Sequence, residues 1–234
     1  VLTPNTRAIL INTPSNPTGF AYEKSELEAI AEFALENNLL MISDEIYEWI
    51  IFDDFKHTSI ASLSNEAQKN CVVINGVSKC YAMTGWRIGY IMSANPEAMA
   101  QMTKLQYYIT ACSNDAMQYA VLAAFENAND YPDEMCAEFK ARRDLICSRL
   151  NAMPGVQCHV PEGAFYVFPK VEVPGLSSEE VAIELLKGGV LCSPGSAFGP
   201  SGEGHLRFAY TISREDISLG MDKTEAVLKR LRGD

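Results

Sequence analysis

Gly76-Val77-Ser78-Lys79-Cys80-Tyr81-Ala82-Met83-Thr84-Gly85-Trp86-Arg87-Ile88-Gly89 runs on directly from an apolar stretch at 71–75. A buried strand that opens into small residues and then a lysine places an amine at a strand end, where open α/β sheets keep their sites. Burial beside apolar residues disfavours the ammonium form and leaves a better nucleophile. Arg87 follows eight residues after Lys79, between Gly85 and Gly89. Small neighbours let an anion approach, and a planar guanidinium suits phosphate. A lone lysine at a strand end is ordinarily a solvated charge; here the whole string points to chemistry.

Working outward, three more segments sit at strand ends or turns. Asn16-Pro17-Thr18-Gly19 follows an apolar run at 7–12 and by itself reads as a turn. Asp44-Glu45-Ile46-Tyr47 follows a second apolar run at 39–43. Asp44 and Tyr47 are three apart, so one helical turn puts them on one side. The acids Asp44, Glu45, Glu48, Asp53 and Asp54 cluster here, but His57, His159 and His205 are scattered and none is at ligand spacing. No metal site is expected. The last segment, Gly202-Glu203-Gly204-His205-Leu206-Arg207-Phe208, carries Arg207 inside an alternating apolar strand. An arginine there needs a partner or a ligand.

The first half alternates strands at 7–12, 39–43, 71–75 and 87–92 with a helix at 22–38. Ser25 is the expected N-cap, with Glu28 completing a capping box. Leu27, Ile30, Ala31, Ala34 and Leu35 fall on one helical stripe. Apolar strands separated by a helix predict a mostly parallel sheet with helices on its faces. In the second half, residues 96–127 read as helical in two pieces. A long amphipathic helix covers 133–153 and stops at Pro154-Gly155. Apolar stretches at 165–168 and 206–210 flank a helix at 178–187, and a helix at 215–231 closes the pattern. This is a smaller α/β unit. Neither a low-complexity linker nor an internal repeat is present.

Composition narrows the function classes. The 234 residues suffice for one large or two modest domains. No apolar run reaches the roughly 18 to 20 residues of a membrane span. Nineteen basic against 30 acidic residues give a net charge of −11, which repels phosphate backbones and anionic lipid. Nucleic-acid and membrane partners are therefore not expected. Seven cysteines include no C-x-x-C pair. Cys136 and Cys147 would lie about 16 Å apart along one helix, too far for a disulfide. Reduced thiols in a cytoplasmic protein are the expectation.

Together the four segments resemble the class I/II aminotransferases, fold type I pyridoxal-phosphate enzymes. The string from Gly76 to Gly89 fits that family's lysine-attachment pattern, and the other three segments occur in the family's order. Gly76 stands where some relatives carry a hydroxyl aimed at the cofactor phosphate. The resemblance covers essentially the whole chain. It implies that Lys79 attaches pyridoxal 5′-phosphate covalently and moves the proton from the substrate Cα. Asp44 would pair with the pyridine nitrogen. Tyr47 and Asn16 would hydrogen-bond the ring's phenolic oxygen, and Arg87 would bind the phosphate beside Gly76. Arg207, helped by Asn16, would grip the substrate α-carboxylate. Phe165 and Tyr166, after Gly163, resemble the family's start of the small domain; core packing is the expected role, with a place bordering the substrate as the alternative.

The resemblance also implies a domain plan. Residues 1–130 would be the C-terminal part of the cofactor-binding large domain, lacking its N-terminal part. Residues 131–234 would be the small domain. The chain opens at Val1 and enters an apolar strand within a few residues, so a fragment of a longer, homodimeric subunit is expected. Such a fragment would bind the cofactor weakly. The activity implied is transfer of an amino group between an amino acid and a 2-oxo acid, aspartate-like or aromatic in preference. A lyase or synthase on the same scaffold and the ligand-sensing domain of a transcription regulator are the competing readings.

Overall fold

The computed structural model describes residues 2–233. They form two compact units: the chain up to Pro14 with Ala21–Met135, and Ser15–Phe20 with the chain from Cys136 onward.

In the first unit, β1 (Ala8–Asn12), β2 (Leu40–Asp44), β3 (Cys71–Gly76) and β4 (Gly89–Met92) form one sheet in that order. β1, β2 and β3 are parallel, and β4 is antiparallel to β3. The link at 77–88 holds a turn and a short 3₁₀ helix, Thr84–Trp86. Without a crossover helix the chain can only double back. β1 and β4 are shorter than the apolar runs at 7–12 and 87–92, whereas β2 is shifted by one residue and β3 extends one residue beyond its run. Arg87, expected in the fourth strand, instead has φ +57° in the left-handed region, and pairing starts two residues later. Register aligns Asn12 with Asp44, and Asp44 with Ile74, at one end of the sheet.

Helix α1 (Lys24–Glu36) buries Leu27, Ala31 and Ala34. With Ile11, Met41, Ile60 and Val73 they make a single core cluster. Each large apolar side chain so buried contributes about 1.5–3 kcal/mol. The expected Ser25 cap is not used. The N-cap is Glu23, whose N–H donates to the Glu26 carboxylate at 2.8 Å; this reach-back is stronger than a neutral hydroxyl cap two residues later. After α2 (Asn65–Lys69), the helical stretch breaks as expected into α3 (Pro96–Thr110) and α4 (Asp115–Asn127), each capped by an asparagine side chain. Tyr107, Tyr108 and Tyr119 are exposed.

α5 (Tyr131–Asn151) leads into the second unit. There β5 (Val156–Gln157) pairs with β7 (Lys170–Val171). β9 (Leu206–Ala209) lies between β6 (Tyr166–Val167) and β8 (Ser193–Pro194), antiparallel to both. α6 (Ser178–Lys187) starts at a capping box of Ser177 and Glu180. α7 (Arg214–Arg232) buries Ile217, Met221, Thr224, Val227 and Leu228 at helical spacing. Leu150, Leu185, Leu206 and Tyr210 are also almost fully buried in this unit.

Candidate active site

The first unit holds five of the expected residues: Asp44, Tyr47, Gly76, Lys79 and Arg87. Asp44 ends β2, and its carbonyl accepts from the Thr13 N–H at 3.1 Å and from Asn12 Nδ2 at 3.1 Å. Its Oδ1 accepts the Ile46 N–H at 3.2 Å, an Asx turn that bends the chain sharply after the strand. The turn brings round Tyr47, which is buried. Lys79 lies in the tight turn after β3, where Tyr81 N–H reaches the Val77 carbonyl at 3.3 Å. Its Nζ stands 5.7 Å from the centre of the Tyr47 ring.

Burial lowers the Lys79 pKa below the ordinary lysine value; the Arg87 charge lowers it further and Asp44 opposes. Arg87 is exposed and donates through Nη1 to the Thr84 carbonyl at 2.9 Å. Gly76 pairs with Gly89 across β3 and β4. A Cβ there would stand 2.9 Å from the Ile88 carbonyl, so close strand approach alone requires glycine.

The second unit holds Asn16 and Arg207. The 15–20 loop closes through Ser15 N–H to Phe20 carbonyl and Gly19 N–H to Ser15 carbonyl, both 2.8 Å. Gly19 has φ +72°, and a Cβ on it would lie 2.4 Å from Pro161 Cβ. The turn reading of Asn-Pro-Thr-Gly is thus correct as far as it goes. The loop also delivers Asn16, whose Oδ1 accepts from Arg207 Nη1 at 2.8 Å. Arg207 Nη2 donates to Ser193 Oγ at 3.1 Å. The guanidinium lies 4.7 Å from the Tyr166 ring and 4.9 Å from the Phe198 ring. Its Nε is buried with no hydrogen-bond partner among the described residues. An orphaned charged donor is costly unless a ligand meets it. Tyr166 is therefore more than core: it forms one wall of the arginine's slot.

One cluster was not foreseen. Glu45 is buried, with Oε1 accepting from Ser43 Oγ at 2.8 Å and Ser59 Oγ at 2.9 Å. His57 Nε2 lies 3.2 Å from its Oε2. The histidine dismissed as scattered thus meets the acids, because the loop after β2 folds back twelve residues later. Glu48 stands nearby, its pKa raised by burial and opposed by the Asn75 amide, which donates at 2.5 Å. Glu45 already has its acceptors engaged by these protein donors. The only sequence signal was the charge itself, inside an otherwise buried segment.

The donor set fits pyridoxal phosphate. An amine with a depressed pKa, a carboxylate, a phenol and a guanidinium collect at one end of one sheet. These groups match an aldehyde, a pyridinium, a phenolate oxygen and a phosphate.

A sequence model of "Aminotransferase class I and II" matches residues 2–223. The chain belongs to this aminotransferase family. It is 43% identical over 232 residues to aromatic-amino-acid aminotransferase 2 of Thermococcus litoralis, covering 97% of this chain and 59% of that one. It is 42% identical over 231 residues to the aspartate aminotransferase of Pyrococcus abyssi, with the same coverage of 97% and 59%. Among solved structures, an aromatic aminotransferase from Pyrococcus horikoshii matches at TM-score 0.93 and 41% identity, over 98% of this chain and 61% of the other. The Thermus thermophilus aspartate aminotransferase with maleate matches at TM-score 0.88 and 33% identity, over 97% and 58%. The α/β aminotransferase fold is thereby shown for this chain, which spans about three fifths of these relatives' lengths. The lyase and regulator readings are not favoured by relatives that carry aminotransferase names.

Proposed function

We propose that the protein to which this chain belongs is a pyridoxal-phosphate-dependent aminotransferase, moving an amino group between an amino acid and a 2-oxo acid. An aspartate-like or aromatic preference follows the relatives' names. The observation that carries the reading is Lys79: a half-buried amine whose charged form is disfavoured, set against Tyr47 and within the fields of Arg87 and Asp44. When bound, the cofactor supplies an electron sink for negative charge developing at the substrate Cα.

The chain's own residues divide the remaining work. Lys79 anchors the cofactor through its amine and, once freed, takes the proton from the substrate Cα. That task favours an amine whose pKa lies near working pH. Asp44 holds a proton on the pyridine nitrogen. Tyr47 and Asn16 hydrogen-bond the phenolic oxygen, and Arg87 binds the phosphate, with Gly76 allowing close approach. Arg207 binds the substrate α-carboxylate, while Asn16 and Ser193 fix the guanidinium's orientation. The Tyr166 and Phe198 rings hold it in plane.

Residues 1–130 then serve as the C-terminal part of the cofactor-binding domain and 131–234 as the small domain. The exposed Tyr107, Tyr108, Ile109 and Tyr119 support a homodimer in the full-length protein. Seven cysteines without a C-x-x-C pair support a cytoplasmic location. No helix among the described residues is long and apolar enough to cross a membrane.

The test is incubation with pyridoxal phosphate, borohydride reduction and peptide mapping. An adduct on Lys79 that disappears in Lys79→Ala is the expected result. A folded full-length protein with no adduct at Lys79 overturns the proposal.

A further inference from the structure

Three residues one helical turn apart, Arg143, Cys147 and Asn151, line one face of α5. All three reach the same following segment. Arg143 Nη1 donates to the Pro161 carbonyl at 3.1 Å. Asn151 brackets Cys158: its Nδ2 donates to the Cys158 carbonyl at 2.9 Å and its Oδ1 accepts the Cys158 N–H at 2.8 Å. That two-bond clamp fixes the Cys158 backbone against the helix. Its consequence lies one turn back, where Cys158 Sγ comes to 3.9 Å from Cys147 Sγ.

We propose that Cys147 and Cys158 are an oxidisable dithiol that closes to an intrachain disulfide under hydrogen peroxide. The sulfurs must approach by about 2 Å to reach bonding distance, a shift that side-chain rotation and a small backbone adjustment supply. Both cysteines are otherwise buried, at 3% and 7% exposure. A cavity of about 400 Å³, lined by Asn151, Gln157, Cys158, His159, Phe168, Lys170 and His205, opens onto Cys158. The lining includes Cys158 and not Cys147, so peroxide held there reaches the Cys147 sulfur only across the 3.9 Å that separates the two thiols.

The chemistry balances. The Cys147 thiolate attacks one peroxide oxygen, the O–O bond breaks, and the departing hydroxide takes a proton to become water. Cys147 is then a sulfenic acid. The Cys158 sulfur attacks the sulfenic sulfur, the S–S bond forms, and the S–OH hydroxyl leaves as a second water with the remaining thiol proton. Two electrons pass from the sulfurs to one peroxide.

Cys147 is the better first nucleophile. The Cys158 S–H lies between the Cys147 sulfur at 3.9 Å and the His159 carbonyl at 3.3 Å; turned to Cys147 it favours that thiolate, as does the neighbouring Arg143 charge, so the Cys147 pKa is lowered despite burial. The groups facing the pair are Arg143 and Asp144 from α5 and the Tyr210 hydroxyl from the strand end. Arg143 also bonds Asp144 Oδ1 at 2.6 Å, which tempers its charge without removing it. The segment that the disulfide would tether runs on through Pro161 to Gly163, whose N–H donates to the Gly19 carbonyl at 2.9 Å. Oxidation therefore stiffens the support of the Asn16 loop within the same unit.

The experiment treats the purified protein with hydrogen peroxide, traps free thiols with an alkylating agent, and maps peptides without reduction. The expected product is a linked pair of the peptides bearing Cys147 and Cys158, lighter by two hydrogens and restored to two free thiols by dithiothreitol. The linked pair is lost in Cys158→Ser. In that variant dimedone labels Cys147, because the sulfenic acid has no sulfur to meet. The wild-type map needs no variant to fold. Peroxide-treated wild-type protein that leaves both thiols free to alkylate after unfolding overturns the proposal. So does a disulfide that joins either one to another cysteine instead.

Discussion

The two arginines expected to bind anions are held in opposite ways. Arg87 is exposed at the end of a turn and donates to the Thr84 carbonyl three residues before it. Arg207 is half-buried, bonded to side chains from two other segments, and flanked by two aromatic rings. The first is a charge delivered by local chain geometry. The second is a preorganised fork whose plane and bearing are set before any ligand arrives. Preorganisation lowers the ordering cost of binding, so geometry matters more at Arg207 and charge more at Arg87.

The largest expected effect tests the chemistry that both arginines serve. Lys79→Ala should lower transamination by the full-length protein by about 10³-fold or more, with circular dichroism unchanged. Next comes the fork itself. Arg207→Lys keeps the charge and loses the paired donors, a loss of about 1.5–3 kcal/mol. It should appear as a rise in KM of roughly 10- to 100-fold in steady-state kinetics, with kcat less affected. An unchanged KM would sink the preorganised-fork account.

Gly19→Ala attacks the loop that aims Asn16 at Arg207. The positive φ and the 2.4 Å clash with Pro161 Cβ should cost about 1–3 kcal/mol of stability in urea unfolding. Arg87→Lys is the counterpart at the exposed site. It should weaken cofactor retention less than about tenfold, measured by absorbance titration. An effect as large as that of Arg207→Lys would erase the contrast.

The smallest effect is a pH dependence. The folded pKa of Lys79 lies below its unfolded value. Between the two, the unfolded chain binds more protons, so stability rises with pH and the penalty of the buried charge fades. Lys79→Met should therefore stabilise the protein at neutral pH, by an amount that shrinks as pH climbs toward the unfolded lysine value. Unfolding midpoints across that range check the sign.

The elements were legible where short-range periodicity speaks. The stripe Leu27, Ala31, Ala34, the residues Cys71, Val72 and Val73, and the alternating Leu206, Phe208 and Tyr210 are buried because their spacing matches a helix or strand with a covered face. Boundaries were less so. Glu23 took the cap from Ser25 because a carboxylate could reach back to its N–H. Arg87 left the strand because the chain had to turn without a crossover helix. Neither competition is visible in a hydrophobic pattern.

The residues from Gly76 to Gly89 could be read as a cofactor string because turn, lysine and arginine lie within one local stretch, where covalent connection limits their separation. The amino-acid order alone also settled the family and the alternation of strands and helices. Three pairings could not be had that way. Arg207 meets Asn16 across 191 residues, Glu45 meets His57 through a loop that folds back, and Cys158 meets Cys147 rather than leaving it to Cys136. Each depends on which faces of separate elements come to rest together. That is set by the packing of the whole unit, in which a one-residue shift of register would turn every such side chain to the other face.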